Sequence, residues 1–252
     1  MTPAPEETGR LPRAGAVSIA YRRRPGKGPT VVFLGGFRSD MTGSKASALD
    51  AHCAARGQSF LRLDYQGHGA SDGSFEDGTI GSWTADALAA IDALVPKDMV
   101  LVGSSMGGWI MIEVALARPD RIRALVGIAA APDFTEDLIW DALAPDARLA
   151  LEIEGRVIET SGYDGSSFAI TRALIEDGRR RLRLRGPIGF GGPVRLLHGQ
   201  RDPDVPWQRS LLLAERFASD DVRCLLIKDG DHRLSRPEDL HLLARTLDDL
   251  LG

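Results

Sequence analysis

Three side chains, far apart in the sequence, have the types and settings that nucleophilic catalysis needs: a serine in a tight turn, an aspartate and a late histidine. The serine is Ser105, in Gly103-Ser104-Ser105-Met106-Gly107. The apolar run Met99–Val102 leads into this turn as a buried strand, and an apolar helical pattern leaves it at once. A serine at the apex of such a strand–turn–helix is a nucleophile elbow, with its hydroxyl thrust out of the turn. The residues two before and two after it must be nearly free of side chain, which accounts for Gly103 and Gly107. The helix starts beneath the serine, so its N–H groups and dipole face any negative charge that forms there. The five-residue pattern alone decides nothing, because it recurs at Gly69-Ala70-Ser71-Asp72-Gly73. That second copy has loop residues on both sides, so Ser71 reads as structural and context selects Ser105.

A serine hydroxyl is a weak nucleophile until a base takes its proton and a third group orients the base. For the base, His232 lies in Asp229-Gly230-Asp231-His232-Arg233, a loop between the last strand and the last helix. His241 falls inside that helix among leucines and reads as packing or surface, and His198 ends a core strand with a structural loop role. For the acid, Asp202 in His198-Gly199-Gln200-Arg201-Asp202 is favoured over Asp204, which stands two residues further from the strand end. Asp231 reads as a loop cap. Acyl transfer also develops charge on a carbonyl oxygen. The backbone N–H of Met106, after the nucleophile, and that of Phe37, in the turn Gly35-Gly36-Phe37, are the expected oxyanion donors. Asp64, Gly67, Gly69 and Ser71 read as residues that shape a neighbouring loop.

These groups need a scaffold, and the order of patterns supplies one. Strands are expected near residues 16–24, 30–34, 59–64, 99–102, 122–130, 194–198 and 222–228, with helices at 44–56, 84–94, after Ser105, at 207–217 and at 237–250. Strands alternating with helices imply an α/β fold with a mostly parallel central sheet flanked by helices. The alternation stops between Asp133 and Gly189, where amphipathic patches at 134–143, 147–159 and 171–177 and a loop at Gly162–Gly165 predict an inserted helical cap, 133–190. Residues 15–132 and 191–252 then form the core. Residues 1–14, polar and proline-rich, are expected to be a disordered tail.

With 252 residues, 43% of them hydrophobic, the chain can bury a full core. A net charge of −4 from 31 basic and 35 acidic residues, mixed along the chain, gives no basis for binding nucleic acid or an anionic membrane. Only Lys27, Lys45, Lys97 and Lys228 are lysines, so the basic residues are overwhelmingly arginine. The one dense basic run, Arg179–Arg185, reads as a solvated face or else as a patch for an anionic substrate group. Cys53 and Cys224 fall in separate core elements, with no disulfide framework and no metal spacing. No cofactor or metal is expected. No segment has the ~18 apolar residues of a membrane span, and the N-terminus lacks an apolar signal core. A cytoplasmic location is expected, with the oligomeric state open.

Finer features resemble one group of α/β-hydrolases, that of the mitochondrial α/β-hydrolase domain-containing protein ten, acyl-protein thioesterases and acyl-glucuronide esterases with bacterial relatives. They are Gly43-Ser44-Lys45-Ala46, Asp64-Tyr65 with Ser71-Asp72-Gly73, Val102–Ser105 with Gly107-Gly108-Trp109, and Ala117-Arg118-Pro119. Further on come Arg195-Leu196-Leu197-His198-Gly199, Asp202 with Val205-Pro206-Trp207, and Asp231-His232-Arg233. Carried over by position, the resemblance makes Ser105, Asp202 and His232 a triad within an α/β-hydrolase fold. The group has Pro-Gly-Tyr where this chain has Gly35-Gly36-Phe37, which keeps a backbone donor and loses a tyrosine hydroxyl. The expected activity is cleavage of a small-molecule ester or acyl-thioester, or of an acylated protein, through an acyl-enzyme on Ser105. The alternatives are a general carboxylesterase or acyl-glucuronide esterase and, more distantly, a non-catalytic ligand-binding protein on a hydrolase scaffold. Ser105 stands where haloalkane dehalogenases carry aspartate, and the charged cap differs from the apolar lid of an interfacial lipase.

Overall fold

The computed structural model describes residues 4–13, 17–162 and 165–252. The chain opens with strands β1 (Glu7–Pro12), β2 (Ser18–Arg24) and β3 (Lys27–Leu34), helix α1 (Ser44–Arg56) and strand β4 (Gln58–Leu63). Helix α2 (Ile80–Leu94), strand β5 (Met99–Ser104), helix α3 (Met106–Ala117) and strand β6 (Ile122–Ile128) follow. The 133–190 segment holds α4 (Pro145–Glu154), β7 (Arg156–Thr160), β8 (Ser167–Thr171) and α5 (Arg172–Arg179). The chain closes with β9 (Val194–Gly199), α6 (Gln208–Arg216), β10 (Val222–Ile227) and α7 (Pro237–Leu251).

Eight strands make one sheet in the order β1-β2-β4-β3-β5-β6-β9-β10. The β1–β2 and β2–β4 pairs are antiparallel and the rest parallel. Successive side chains leave a strand on opposite faces, so the apolar runs of β3 and β5 feed two cores. Val31, Phe33, Val100 and Val102 pack beneath Leu49 of α1 and Leu243 and Leu247 of α7. Val32, Leu34 and Leu101 pack beneath Ile80 and Trp83 of α2 and Trp109 of α3. Burial on both faces is why these strands read as unbroken apolar runs. Helix α2 starts four residues earlier than its apolar pattern suggests. The Thr79 hydroxyl accepts from Ser82 N–H at 3.1 Å and the Ser82 hydroxyl accepts from Thr79 N–H at 2.8 Å, a reciprocal cap. Cys53 is buried without a disulfide, and burial first of all pushes its thiol up to about 12.

Two expectations need correction. Residues 7–12 of the expected disordered tail form the edge strand β1, in register with β2 from Glu7–Arg23 to Pro12–Ser18. Backbone pairing holds this strand, together with Arg23–Glu7 at 2.6 Å and an Arg10 bond to the Ala70 carbonyl at 2.7 Å. None of that leaves an apolar pattern in the sequence. Met1–Pro3 and Ala14 lie outside the described residues. The 133–190 segment is also not wholly helical. Gly155, at φ +79°, ends α4, and the next residues alternate as β7, which pairs antiparallel with β8. The helical reading of 147–159 ran straight through that glycine. Residues 134–143 form a π-helical turn (Thr135–Ile139) and a 3₁₀ turn (Trp140–Ala142), and Tyr163 and Asp164 of the expected loop lie outside the described residues.

The arginine run keeps a solvated face, with Arg180 66% and Arg185 50% exposed, but its charges are paired with neighbouring acids. Arg179 pairs with Glu136 at 2.6 Å, Arg181 with Asp177 at 3.1 Å, and Arg185 with Asp137. Arg183 reaches out of the segment to Glu113 of α3 at 2.6 Å. Asp133, with its side chain fully buried, accepts from the N–H groups of Arg183 and Leu184 at 2.7 and 2.9 Å and so ties the segment's two ends together. Most of the run therefore ties the segment to itself, and Arg183 ties it to the core.

Removing one partner of such a pair leaves the other charge buried, at about 3–5 kcal/mol when both are fully enclosed. Arg183 is still a third exposed against a buried Glu113, so Arg183→Ala is expected to cost about 2 kcal/mol, read as a lower urea midpoint at unchanged slope. Arg123→Ala, whose pair with Asp98 is exposed on both sides, is expected to leave the midpoint where it is.

Candidate active site

Strand β5 ends in the turn that carries Ser105, with φ +54° and ψ −120°. This backbone is held on three sides. Ser105 N–H donates to the Ile128 carbonyl at 2.9 Å, and its own carbonyl accepts from Gly108 and Ala131 N–H at 2.9 and 3.0 Å. A Cβ at Gly107 would lie 2.0 Å from the Leu34 carbonyl oxygen, and one at Gly103 would lie 2.4 Å from the Gly107 oxygen. The glycines thus let α3 start against the end of β3, and every residue of α3 from Met106 to Ala115 is buried.

The C-terminal loops of β9 and β10 bring up the other two groups. They lie back to back, with Arg201 N–H donating to the Gly230 carbonyl at 2.9 Å. His232 Nε2 lies 3.1 Å from Ser105 Oγ, and His232 Nδ1 lies 2.7 Å from Asp202 Oδ2. With Nδ1–H donated to the carboxylate, Nε2 keeps its lone pair toward the serine hydroxyl. The Asp202 side chain is fully buried. Burial alone would raise its carboxyl, but hydrogen bonds from His198 and His232 and from Val205 N–H outweigh that and hold it well below the usual carboxylate range. Asp204 is exposed and lends its backbone N–H to Asp202 Oδ1 at 2.8 Å. Asp231 accepts from Leu234 N–H at 2.9 Å, and His241 lies exposed on α7.

The turn after β3 lies against Ser105, since a Cβ at Gly36 would stand 3.3 Å from Ser105 Cβ. Neither Phe37 nor Met106 N–H has an acceptor among the described residues. The Phe37 ring is gripped edge-on by Phe75, Trp83, Phe134 and Phe168 at centroid distances of 4.9–6.0 Å. Ser71, centre of the second glycine–serine match, is spent on structure. Its hydroxyl donates to the Asp64 carbonyl at 2.6 Å and accepts from Ala20 N–H at 2.8 Å.

Two cavities meet at Ser105 and His232. One, of about 580 Å³, is lined mainly by apolar side chains, among them Met106, Phe134, Leu138, Ile139, Leu143, Phe168 and Ile170. The other, of about 330 Å³, is the more polar of the two and carries Arg38, Ser39, Asp40, Lys45 and Arg233. Lys45 donates to the Arg233 carbonyl, and burial, then the Arg233 charge, pushes its pKa down to about 8. Arg38, at φ +58°, lies 4.3 Å above the Phe168 ring and bonds Ser166 Oγ at 2.6 Å, linking the turn to β8. Among the described residues, Asp202, Asp204 and His232 could bring metal-ligand atoms within 4.8 Å of one another. Both Asp202 oxygens and His232 Nδ1 are already committed to hydrogen bonds there.

Sequence reasoning gave no place in the site to Lys45, Ser210 or the buried side of His198. Only His198 carried a signal, standing four residues before Asp202 on a strand end.

The family model of serine aminopeptidases, S33, matches residues 28–185. Mouse mitochondrial palmitoyl-protein thioesterase ABHD10 is 41% identical over 242 residues, covering 96% of this chain and 81% of that protein. The human protein of that name is 38% identical over the same share of this chain. Among solved structures, a hydrolase from Agrobacterium vitis S4 superposes with a TM-score of 0.93 at 44% identity, covering 98% of this chain and all of that one. Mouse α/β-hydrolase domain-containing protein 10 gives 0.89 at 40% identity, covering 97% of this chain and 98% of that one. The relatives' mitochondrial names overturn the cytoplasmic expectation. That expectation rested on a missing apolar leader, which marks secretory signals and says nothing of the amphipathic leaders that direct proteins to mitochondria. Among the described residues, no helix is long and apolar enough to cross a membrane.

An amide in place of the Asp202 carboxylate can present N–H where His232 Nδ1–H needs an acceptor, which favours the wrong tautomer. Asp202→Asn is expected to lower kcat by about 10⁴-fold. Asp204→Asn keeps the backbone donor and is expected to stay within a few-fold of the wild type. Steady-state kinetics on one soluble ester separates the two, and the reverse ranking removes Asp202 from the role of acid.

Proposed function

Because the chain belongs to the α/β-hydrolase family described by the S33 model, with ABHD10 among its relatives, we propose that Ser105 is the nucleophile, His232 its base and Asp202 the orienting acid. The chain is a hydrolase of the esterase and thioesterase class. In the proposed cycle Ser105 Oγ attacks the acyl carbonyl while His232 Nε2 takes its proton. The Phe37 and Met106 N–H groups receive the oxyanion, with the N-terminus of α3 behind them. His232 returns the proton to the departing alcohol or thiol. A water molecule, deprotonated in turn by His232, then releases the acid from Ser105.

The observation that carries this reading is the place of Ser105, 3.1 Å from His232 at the junction of an apolar and a polar cavity. An acyl chain suits the apolar side, where the 133–190 segment serves as a cap, and a hydrophilic leaving group suits the other. The named activity of the ABHD10 relatives makes a protein-bound or small-molecule acyl-thioester the first substrate class to consider. One observation favours a second reading, a carboxylesterase for anionic leaving groups such as an acyl-glucuronide. The polar cavity has three cationic side chains, Arg38, Lys45 and Arg233, against one acid, Asp40.

The test is hydrolysis of p-nitrophenyl esters from acetate to palmitate, beside matched acyl-thioesters. Ser105→Ala is expected to lose at least about a thousandfold in kcat on every substrate turned over. Turnover that survives this change removes Ser105 from its role, and none in the wild type favours a binding protein. For the second reading, an ester with a carboxylate on its leaving group is expected to have a lower KM than its uncharged counterpart. The advantage is expected to shrink above pH 8, where Lys45 loses its proton, and to shrink likewise in Lys45→Met, where Arg38 and Arg233 keep their charge. A KM ratio that ignores both pH and Lys45 excludes that reading.

A further inference from the structure

Asp202 serves two histidines. Its Oδ1 accepts from Asp204 and Val205 N–H, both at 2.8 Å, and its Oδ2 accepts from His232 Nδ1 at 2.7 Å and from His198 Nε2 at 3.0 Å. The carboxylate is sealed from water, so these four donors stand in for its hydration. The His198 ring is wholly buried. Its Nε2 also lies 3.0 Å from the Val205 carbonyl, a pure acceptor, so in the neutral ring this nitrogen holds the proton. Nδ1 is then the acceptor, and Ser210 Oγ, 2.7 Å away, is its donor. Two serine–histidine pairs thus converge on one carboxylate oxygen. Ser105 faces the cavities, whereas Ser210 is 1% exposed and beyond reach of any substrate.

We propose that His198, its tautomer held by Ser210, is a positioning residue that sets the basicity of the Asp202–His232 pair. The inference rests on the proposed roles of Ser105, His232 and Asp202. A neutral N–H donor on Oδ2 spreads that oxygen's charge away from His232 and keeps the carboxylate ionised while His232 is neutral. Without it, the full charge on Oδ2 bears on His232, and the imidazolium becomes easier to form. The other charged groups near His232 are Asp204 in the acid loop, Asp231 and Arg233 beside it, Lys45 from α1 and Arg38 from the turn after β3. They are common to all the variants below and cancel in the comparison.

The experiment is the pH profile of kcat/KM on a short p-nitrophenyl ester for wild type, His198→Leu and His198→Gln. His198→Leu is expected to move the acidic limb upward by about half a pH unit, a modest share of what one hydrogen bond to a charged group supports. His198→Gln, whose amide N–H can donate to Oδ2, is expected to restore the limb. A limb unmoved in His198→Leu while the rate falls, or one that glutamine does not restore, reduces His198 to a packing residue and overturns the proposal. If His198→Leu does not fold, ¹⁵N spectra of the wild-type imidazoles decide. The expected result is an Nε2–H, Nδ1-acceptor His198 whose bonded proton persists in His232→Ala, and an Nδ1–H tautomer overturns the proposal. Activity surviving in Ser105→Ala is a separate failure, that of the triad itself.

Discussion

The site depends first on a backbone that serine would not choose. At φ +54°, Ser105 lies where an L-residue is disfavoured, a local strain of order 1–3 kcal/mol that persists only when its surroundings over-determine it. Here they do. The Ser105 peptide groups are bonded to Ile128, Gly108 and Ala131. Helix α3, buried over its first ten residues, cannot shift without opening both the sheet and the packing against α2. The same turn that strains the serine exposes its hydroxyl, aligns the Met106 N–H beside it and starts a helix beneath it. One constraint on one residue thereby fixes the proposed nucleophile, a proposed oxyanion donor and the local field together.

Charge is managed by enclosure around that point. A buried ion pair does not by itself favour folding, because desolvation cancels most of its attraction. Its value lies in permitting one arrangement and penalising others. Arg183–Glu113 and Arg209–Asp137 run between the 133–190 segment and the core, while Arg185–Asp137 closes within the segment. They specify how that segment sits over the cavities, whose apolar lining comes largely from its own residues, Phe134 to Ile170. Asp202 follows the same logic in miniature, a lone charge kept ionised by four N–H donors.

What was legible in the sequence follows from which forces leave a pattern there. Strands buried on both faces, such as β3 and β5, must be apolar along their length, and an elbow must have Gly103 and Gly107, so the central sheet and Ser105 stood out. The Asp202 and His232 loops stood out because they follow strand ends. Strand β1 did not, since backbone pairing and exposed ion pairs impose no hydrophobic period. Strands β7 and β8 were hidden because one face is exposed, with Ile158 60% accessible, and because one glycine, Gly155, marks the change of period. The pairing of the arginine run stayed hidden because a sequence shows charges without their partners. His198 looked incidental because its role lies in what it touches.

The polar cavity shows why the proposed triad does not settle the substrate. Ser105, His232 and Phe37 border both cavities and are indifferent to what fills either. In the proposed reading, selectivity on the acyl side falls to the inserted segment, whose π-turn and hairpin the sequence pattern did not reveal. On the other side it falls to Lys45 at the first turn of α1 and to Arg38 in a left-handed turn, both elements of the core. In that reading, acyl and leaving-group selectivity draw mainly on different parts of the chain, which overlap at Arg38. The two sides stay coupled through Arg38, which Phe168 and Ser166 of the inserted segment hold in place, so a change in that segment reaches the polar cavity as well.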